Sequence, residues 1–209
     1  MSTITIIGAG NMATAIGGRA ARAGHTVEVV ARDRAKAEAA AEQIGGDVTV
    51  GTYAEPPRGD LVFLAVLHAG AAEVVRAYGD ALAGKVVVET TNPFDADGTG
   101  VVTTPGHSVT QALAEAVPED TQVLKAFNTV FRDVLAETPG LDVLFAGGDE
   151  EGRARFAEFL RSVDLRPRDA GGLEATHALE WAAIVLMGLA RHGAGWDVAL
   201  SAGGARVRS

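Results

Sequence analysis

The chain has 209 residues, 47% of them hydrophobic and 22% charged, a balance that fits a folded domain with a modest appendage and excludes a disordered chain. Its 18 Lys+Arg against 27 Asp+Glu leave a formal net charge of −9, so nucleic acid, whose phosphates demand a positive face, is not an expected partner. With no cysteine, disulfides, thiolate chemistry and cysteine-ligated zinc are excluded.

Short aliphatic runs alternate with helical stretches. Thr3–Ile7 reads as a strand, Gly8–Gly10 as a turn, and Asn11–Ala23 as a helix stopped by Gly24-His25. Thr26–Ala31 is the second strand, Arg34–Ile44 a helix ended by Gly45-Gly46-Asp47, and Val48–Val50 a short third strand. Leu61–Val66 is a continuous apolar run of the kind buried on both faces of a parallel sheet. A helix from Ala71 to Leu82 and a strand, Val86–Glu89, come next. Thr91–Gly106 holds Pro93, Pro105 and several glycines and reads as a long loop, a length that usually serves a function. Helix Val109–Ala116, strands Gln122–Ala126 and Asp142–Ala146, helix Glu150–Ser162, strand Leu165–Arg168 and an apolar helix from Leu173 to Arg191 complete the pattern.

Such alternation with short connections predicts an α/β fold, Rossmann-type and doubly wound, with a mostly parallel sheet and a C-terminal helical segment. The expected division is a nucleotide-binding domain over 1–170 and a helix with tail over 171–209. The Gly- and Arg-rich tail from Ser201 is expected to fray. Aromatic residues are scarce at 5%, so aliphatic residues and alanine are expected to fill the core. The five histidines (His25, His68, His107, His177 and His192) show no ligand spacing, and no metal site is expected. The apolar start at Ile4–Ile7 is too short for a secretory signal. The longest apolar stretch, Trp181 to Ala190, is about half of what a bilayer needs. A soluble, cytoplasmic protein with no membrane partner is the expectation.

The strongest motif is Gly8-Ala9-Gly10-Asn11-Met12-Ala13, placed between the first strand and the first helix. Gly8 permits the tight turn, Gly10 lets backbone approach a pyrophosphate, and Ala13 with Gly17 allows the helix close to the sheet. The helix N-terminus then faces the phosphates. The second strand ends Val29-Val30-Ala31-Arg32-Asp33-Arg34-Ala35-Lys36. An NAD site usually has a carboxylate at that strand end; Ala31 cannot accept a hydrogen bond, and Arg32 follows at once. A guanidinium suits a 2′-phosphate, with Lys36 as a second cation one helical turn away, so NADP rather than NAD is expected. Asp33 is either a ribose acceptor or a helix N-cap, and its position suits the cap better.

These residues are joined by Ala65-Val66-Leu67-His68, Thr91-Asn92-Pro93-Phe94, Lys125-Ala126-Phe127-Asn128-Thr129 and Asp169-Ala170-Gly171-Gly172-Leu173. Together they make the chain resemble the NADPH-dependent coenzyme F420 reductase (F420H2:NADP oxidoreductase) family over nearly its whole length, to near Ala202. The resemblance implies NADP phosphates over Ala9, Gly10, Asn11 and Met12, and a 2′-phosphate at Ala31, Arg32 and Lys36. It also implies ribose and nicotinamide beside Ala65, Val66, Leu67 and His68, with Asn92 and Pro93 bordering the same cofactor. Archaeal members carry small hydroxyl residues at the Ala9 and Ala31 positions and Pro-Trp at Leu67-His68. Arg32 and Lys36 are therefore expected to carry more of the selectivity, and the acceptor pocket to differ.

Hydride transfer between a nicotinamide and a deazaflavin needs two flat rings face to face with water excluded, and no nucleophile or metal. No catalytic residue is assigned. Phe127 and Asn128 either wall the nicotinamide or serve as core and turn residues. His68 is either a hydrogen-bond donor to the acceptor ring or a loop histidine. The same module occurs in ferric-reductase relatives that use flavin, so flavin is the alternative acceptor, and an NADPH-sensing protein without turnover is a third reading. His177 and Glu180 are expected to pair locally on the last helix, whose apolar surface predicts a homodimer. Arg132, Arg166, Arg168, Arg191 and Arg206 are candidates for a patch that meets the acidic tail of F420, with scattered solvated arginines as the default.

Overall fold

The structure, a computed structural model, describes residues 2–203. Eight strands form one sheet: β1 (Thr3–Ile7), β2 (Thr26–Val30), β3 (Val48–Val50), β4 (Leu61–Leu64), β5 (Val86–Glu89), β6 (Gln122–Ala126), β7 (Leu141–Gly147) and β8 (Leu165–Asp169). Their order is β3-β2-β1-β4-β5-β6-β7-β8. The first six run parallel, β7 pairs antiparallel with β6, and β8 pairs parallel with β7. The α-helices are α1 (Asn11–Arg22), α2 (Arg34–Ile44), α3 (His68–Tyr78), α4 (Val109–Ala114), α5 (Arg132–Glu137), α6 (Glu150–Ser162) and α7 (Thr176–Leu189). The fold is the expected Rossmann-type α/β sheet with a C-terminal helical segment.

Side-chain alternation along the strands builds the layers. In β4, Leu61 and Phe63 join a core with residues of α1, α2 and α6, whereas Val62 and Leu64 join a second core with α3 and Leu113 of α4. Aliphatic residues fill most of both cores, but aromatics contribute more than their number suggests. Phe63, Phe127, Phe145, Phe156 and Phe159 form one cluster with ring centroids 5.2–6.4 Å apart. Gly17 does what its position promises, since a Cβ there would stand 2.6 Å from Ile44 Cδ1.

Some elements depart from expectation. The helix predicted from Ala71 starts earlier, at His68, and after Tyr78 tightens into a 3₁₀ turn over Gly79–Leu82. Helix α5 carries no periodic signal at six residues. It is held from outside by Arg19 of α1, which donates to the carbonyls of Leu135 and Thr138 and, at 3.0 Å, to that of Val163. The tail is not loose at its start: Ser201 Oγ and Ala202 N–H donate to Asp142 Oδ2 at 2.6 and 2.9 Å.

The last helical run, Leu173–Ala194, is longer than the apolar stretch visible in sequence, and by length and composition alone it could cross a bilayer. It nevertheless carries Glu180, fully buried among protein groups, and α7 packs on β6, β7 and α4. His177 and Glu180 do not pair; Glu180 turns to Lys125 and to the loop before α4.

Candidate functional site

Strand order reverses between β1 and β4, so the connections leaving their carboxyl ends run in opposite directions and leave a crevice between them. A cleft of about 1030 Å³ opens there. It draws Gly8, Ala9, Gly10, Asn11 and Met12 from the β1–α1 turn, and Ala31, Arg32 and Lys36 from the end of β2. Ala65, Val66, Leu67 and His68 come from the β4–α3 turn and Asn92 from the loop after β5.

The turn is built for close approach. Gly8 has φ +135°, and a Cβ on it would stand 2.1 Å from the carbonyl oxygen of Ala65, so no other residue fits. Gly10 is the N-cap of α1 and offers no side chain to cap it; a Cβ there would meet no protein atom. The first turn of α1 contains no acidic residue. Free N–H groups at the positive end of a 12-residue helix, beside open space, suit a phosphate. Helix α3 opens on the same cleft, and its N-cap Leu67 also lacks a side-chain cap.

The far wall beyond β2 is basic but occupied. Arg32 lies 3.4 Å from Glu73 Oε1 of α3, and Lys36 lies 4.0 Å from Asp33 Oδ2. All four side chains are exposed, so these contacts are weak and exchangeable. Asp33 caps α2 by accepting from Ala35 N at 3.1 Å, as its position predicted. Leu67 is 83% exposed, an unusual state for leucine, and with Phe94 gives the cleft an apolar surface.

Three expected residues stand outside the cleft. Phe127 leaves β6 with φ +62°, which turns its ring into the aromatic core, 6.2 Å from Phe63 and 6.0 Å from Phe156. Asn128 lies beneath the wall: its amide donates to Asn92 Oδ1 at 3.1 Å and to the carbonyl of Leu179 at 2.7 Å. Pro93 is buried, its carbonyl accepting from Val102 N at 2.8 Å.

Sequence reading missed Tyr53, Glu73, Thr90, Thr91 and Phe94, which also line the cleft. Phe94 and Thr91 sat inside a quoted motif and could have been named. Glu73 and Tyr53 had no such signal, since only the packing of α3 and of the β3–β4 connection brings them round. The arginines proposed as a patch do not converge on the cleft. Arg166 and Arg168 both reach Asp142, at 2.6 and 3.0 Å, Arg191 donates to the Gly98 carbonyl at 2.9 Å, and Arg132 pairs with Asp133. Arg206 lies outside the described residues.

Comparison with known proteins agrees with this geometry. Residues 3–93 match the family described as NADP oxidoreductase, coenzyme F420-dependent, and these residues hold every segment lining the cleft up to Asn92. A hypothetical protein from Sinorhizobium meliloti is similar at 28% identity and a TM-score of 0.74, over 84% of this chain and 88% of that one. A candidate F420-dependent NADP reductase from an Arthrobacter species shares the fold at a TM-score of 0.83 and 21% identity, over 94% and 97% of the two chains. An imine reductase from Aspergillus terreus, solved with NADPH4, superposes at a TM-score of 0.69 and 24% identity over 93% of this chain. This chain spans 63% of that enzyme.

Proposed function

We propose that the protein is an NADPH-dependent oxidoreductase that transfers hydride between NADP(H) and the deazaflavin coenzyme F420. The observation that carries this reading is the continuous cleft from the uncapped glycine turn and Arg32 to Asn92 and Phe94, whose lining up to Asn92 falls within the residues that match the F420-dependent family. At about 1030 Å³ it stands at the upper end of the usual range for small-molecule pockets, which supports a ligand as long as a dinucleotide with a ring beside it.

When bound, NADPH supplies a hydride from its dihydronicotinamide ring to the acceptor ring, which takes up one further proton. Every other task belongs to the chain. The N–H groups of Ala9 to Met12 and the dipole of α1 hold the pyrophosphate. Arg32 releases Glu73 and, with Lys36, grips the 2′-phosphate, which sets the preference for NADP over NAD. Ala65, Val66 and Leu67 bring backbone and an apolar side chain against the reacting rings, and Leu67 with Phe94 excludes water. His68, the first residue of α3, also lines the cleft, and in this reading its imidazole would offer a hydrogen bond to the acceptor ring. Rate enhancement comes from orientation, and the chain needs no nucleophile for it.

We further assign residues 1–170 as the nucleotide-binding part and 171–209 as the segment that completes the acceptor side and meets a second copy of the chain in a cytoplasmic homodimer. The deciding experiment mixes purified protein with NADPH and each acceptor in turn. Loss of the absorption band from which F420 takes its name supports the reading. Turnover with flavin alone replaces F420 with flavin, and tight NADPH binding without consumption makes the protein a sensor.

A further inference from the structure

Beneath the acceptor end of the cleft lies a cluster of charges that the reaction above does not use. Lys125 of β6, Glu89 at the end of β5 and Glu180 of α7 are all fully buried. Lys125 Nζ stands 2.6 Å from Glu89 Oε2 and 3.7 Å from Glu180 Oε1, and donates at 2.9 Å to the carbonyl of Thr91. Glu89 also accepts from the backbone N–H of Thr91 and, at 3.0 Å, from Thr110 Oγ1. Glu180 accepts from Thr103 Oγ1 and, at 2.9 Å, from the N–H of Val109.

Both backbone groups of Thr91, a cleft residue, are thus gripped from below by the same ion pair. The neighbouring cleft residue Asn92 is held by a second device. Its amide donates to the Asn128 carbonyl at 2.9 Å, while the Asn128 amide donates to Asn92 Oδ1 and to the Leu179 carbonyl of α7. Lys125 and Asn128 stand three residues apart at the end of β6, and each links a wall residue of the cleft to α7.

Burying three charges for packing alone is a poor bargain, since a hydrophobic set of the same shape commonly serves stability as well or better. What an ion cluster adds is a single permitted arrangement of its neighbours. We propose that Lys125 is a positioning residue. By joining β5, the loop from Thr91 to His107 and helix α7, it builds the acceptor-facing wall of the cleft before ligand arrives. It touches neither cofactor nor acceptor and acts through Thr91 and, by way of Glu180, through the loop that leads into α4. This inference rests on the cleft being the hydride-transfer site proposed above.

The test compares full-length wild type with Lys125→Met, Glu180→Gln, and the neutral triple variant Lys125→Met/Glu89→Gln/Glu180→Gln. Amide hydrogen exchange by mass spectrometry is expected to rise at least tenfold across Thr91–His107 and α7 when Lys125 is removed, with the glycine turn at Gly8–Met12 unchanged. NADPH affinity by calorimetry is expected to stay within about threefold of wild type, because Arg32 and the turn belong to other strands, while kcat/KM for the acceptor falls about tenfold or more. The triple variant restores stability and leaves the acceptor defect, which separates positioning from folding.

Should Lys125→Met fail to fold, Glu180→Gln carries the same prediction over Thr103–Val109 and α7 alone. Unchanged exchange in a folded variant overturns the proposal, as does a loosened loop with unchanged acceptor kcat/KM. If wild type itself consumes no NADPH with F420 or flavin, the functional reading above fails, and hydrogen exchange alone decides whether Lys125 sets the wall.

Discussion

In the proposed function Arg32 exchanges one anion, Glu73, for another, the 2′-phosphate of NADP(H). Glu73 lies 3.4 Å from its guanidinium, and both side chains are solvated, so the pair contributes about 0–1 kcal/mol. A 2′-phosphate carries more charge and must also approach Glu73 itself. Glu73→Gln is therefore expected to tighten NADPH binding by about threefold, more at low ionic strength, and to leave NADH binding unchanged. Fluorescence titration at two salt concentrations checks this; weaker NADPH binding would mean that Glu73 orients Arg32 productively. At the other end of the cleft, Leu67→Asp places a charge where flat rings are expected to lie. It should raise KM for NADPH and acceptor while leaving the melting temperature within about 2 °C, since the native side chain is already 83% exposed. Arg32 was legible from the strand-end pattern. Glu73, 41 residues further along the chain, was not, because no local rule places an α3 side chain beside the end of β2.

Elements, more than residues, decide what surrounds the cleft. Trp181, Val185 and Leu189 recur every four residues along α7 and are 46%, 57% and 48% exposed, an apolar stripe left largely uncovered by the described residues. Trp196, packed edge-on against Phe131 at 5.3 Å, adds to the exposed apolar surface near the end of this segment. A second copy covering the stripe is the assignment made above, and Val185→Lys/Leu189→Lys is expected to give monomers in sedimentation experiments with the fold intact. Wild type sedimenting as a monomer at micromolar concentration would contradict it.

The tail is an element with its own pH dependence. Burial alone would raise the Asp142 carboxyl, but Ser201, Arg168, Arg166 and the Ala202 N–H together hold it well below the usual carboxylate range. A carboxyl depressed in the folded chain stabilises it above the unfolded pKa and loses that contribution as pH falls. The loss is expected to begin below about pH 4. Asp142→Asn should flatten the dependence of melting temperature on pH below that point and lower stability at neutral pH by about 1–3 kcal/mol. An identical acid profile in the two proteins would contradict it. None of this could be read from the tail sequence, which looked merely Gly- and Arg-rich.

At the scale of the whole molecule, the sheet was legible because parallel strands buried on both faces read as apolar runs, as Leu61–Leu64 does and as Val86-Val87-Val88 does before Glu89. The reversal of β7 was not, since a run of apolar residues carries no sign of direction. Short α5 escaped for a related reason: Arg19, over a hundred residues away, supplies the contacts that stabilise it. The place of the glycine turn and of Arg32 on the cleft was readable because the pattern that marks each is local. The Lys125 cluster was invisible because its members come from three distant elements, and of the two roles left open for Phe127 the structure shows the core one, its ring buried and its φ positive.

The central claim is that this cleft binds NADP(H) through Arg32, and calorimetric titration of wild type and Arg32→Ala with NADPH and NADH tests it most directly. Wild type is expected to prefer NADPH clearly, and Arg32→Ala to lose about ten- to a hundredfold in NADPH affinity with NADH little changed. NADPH binding that is absent from wild type, or equal in the two proteins, would contradict the account.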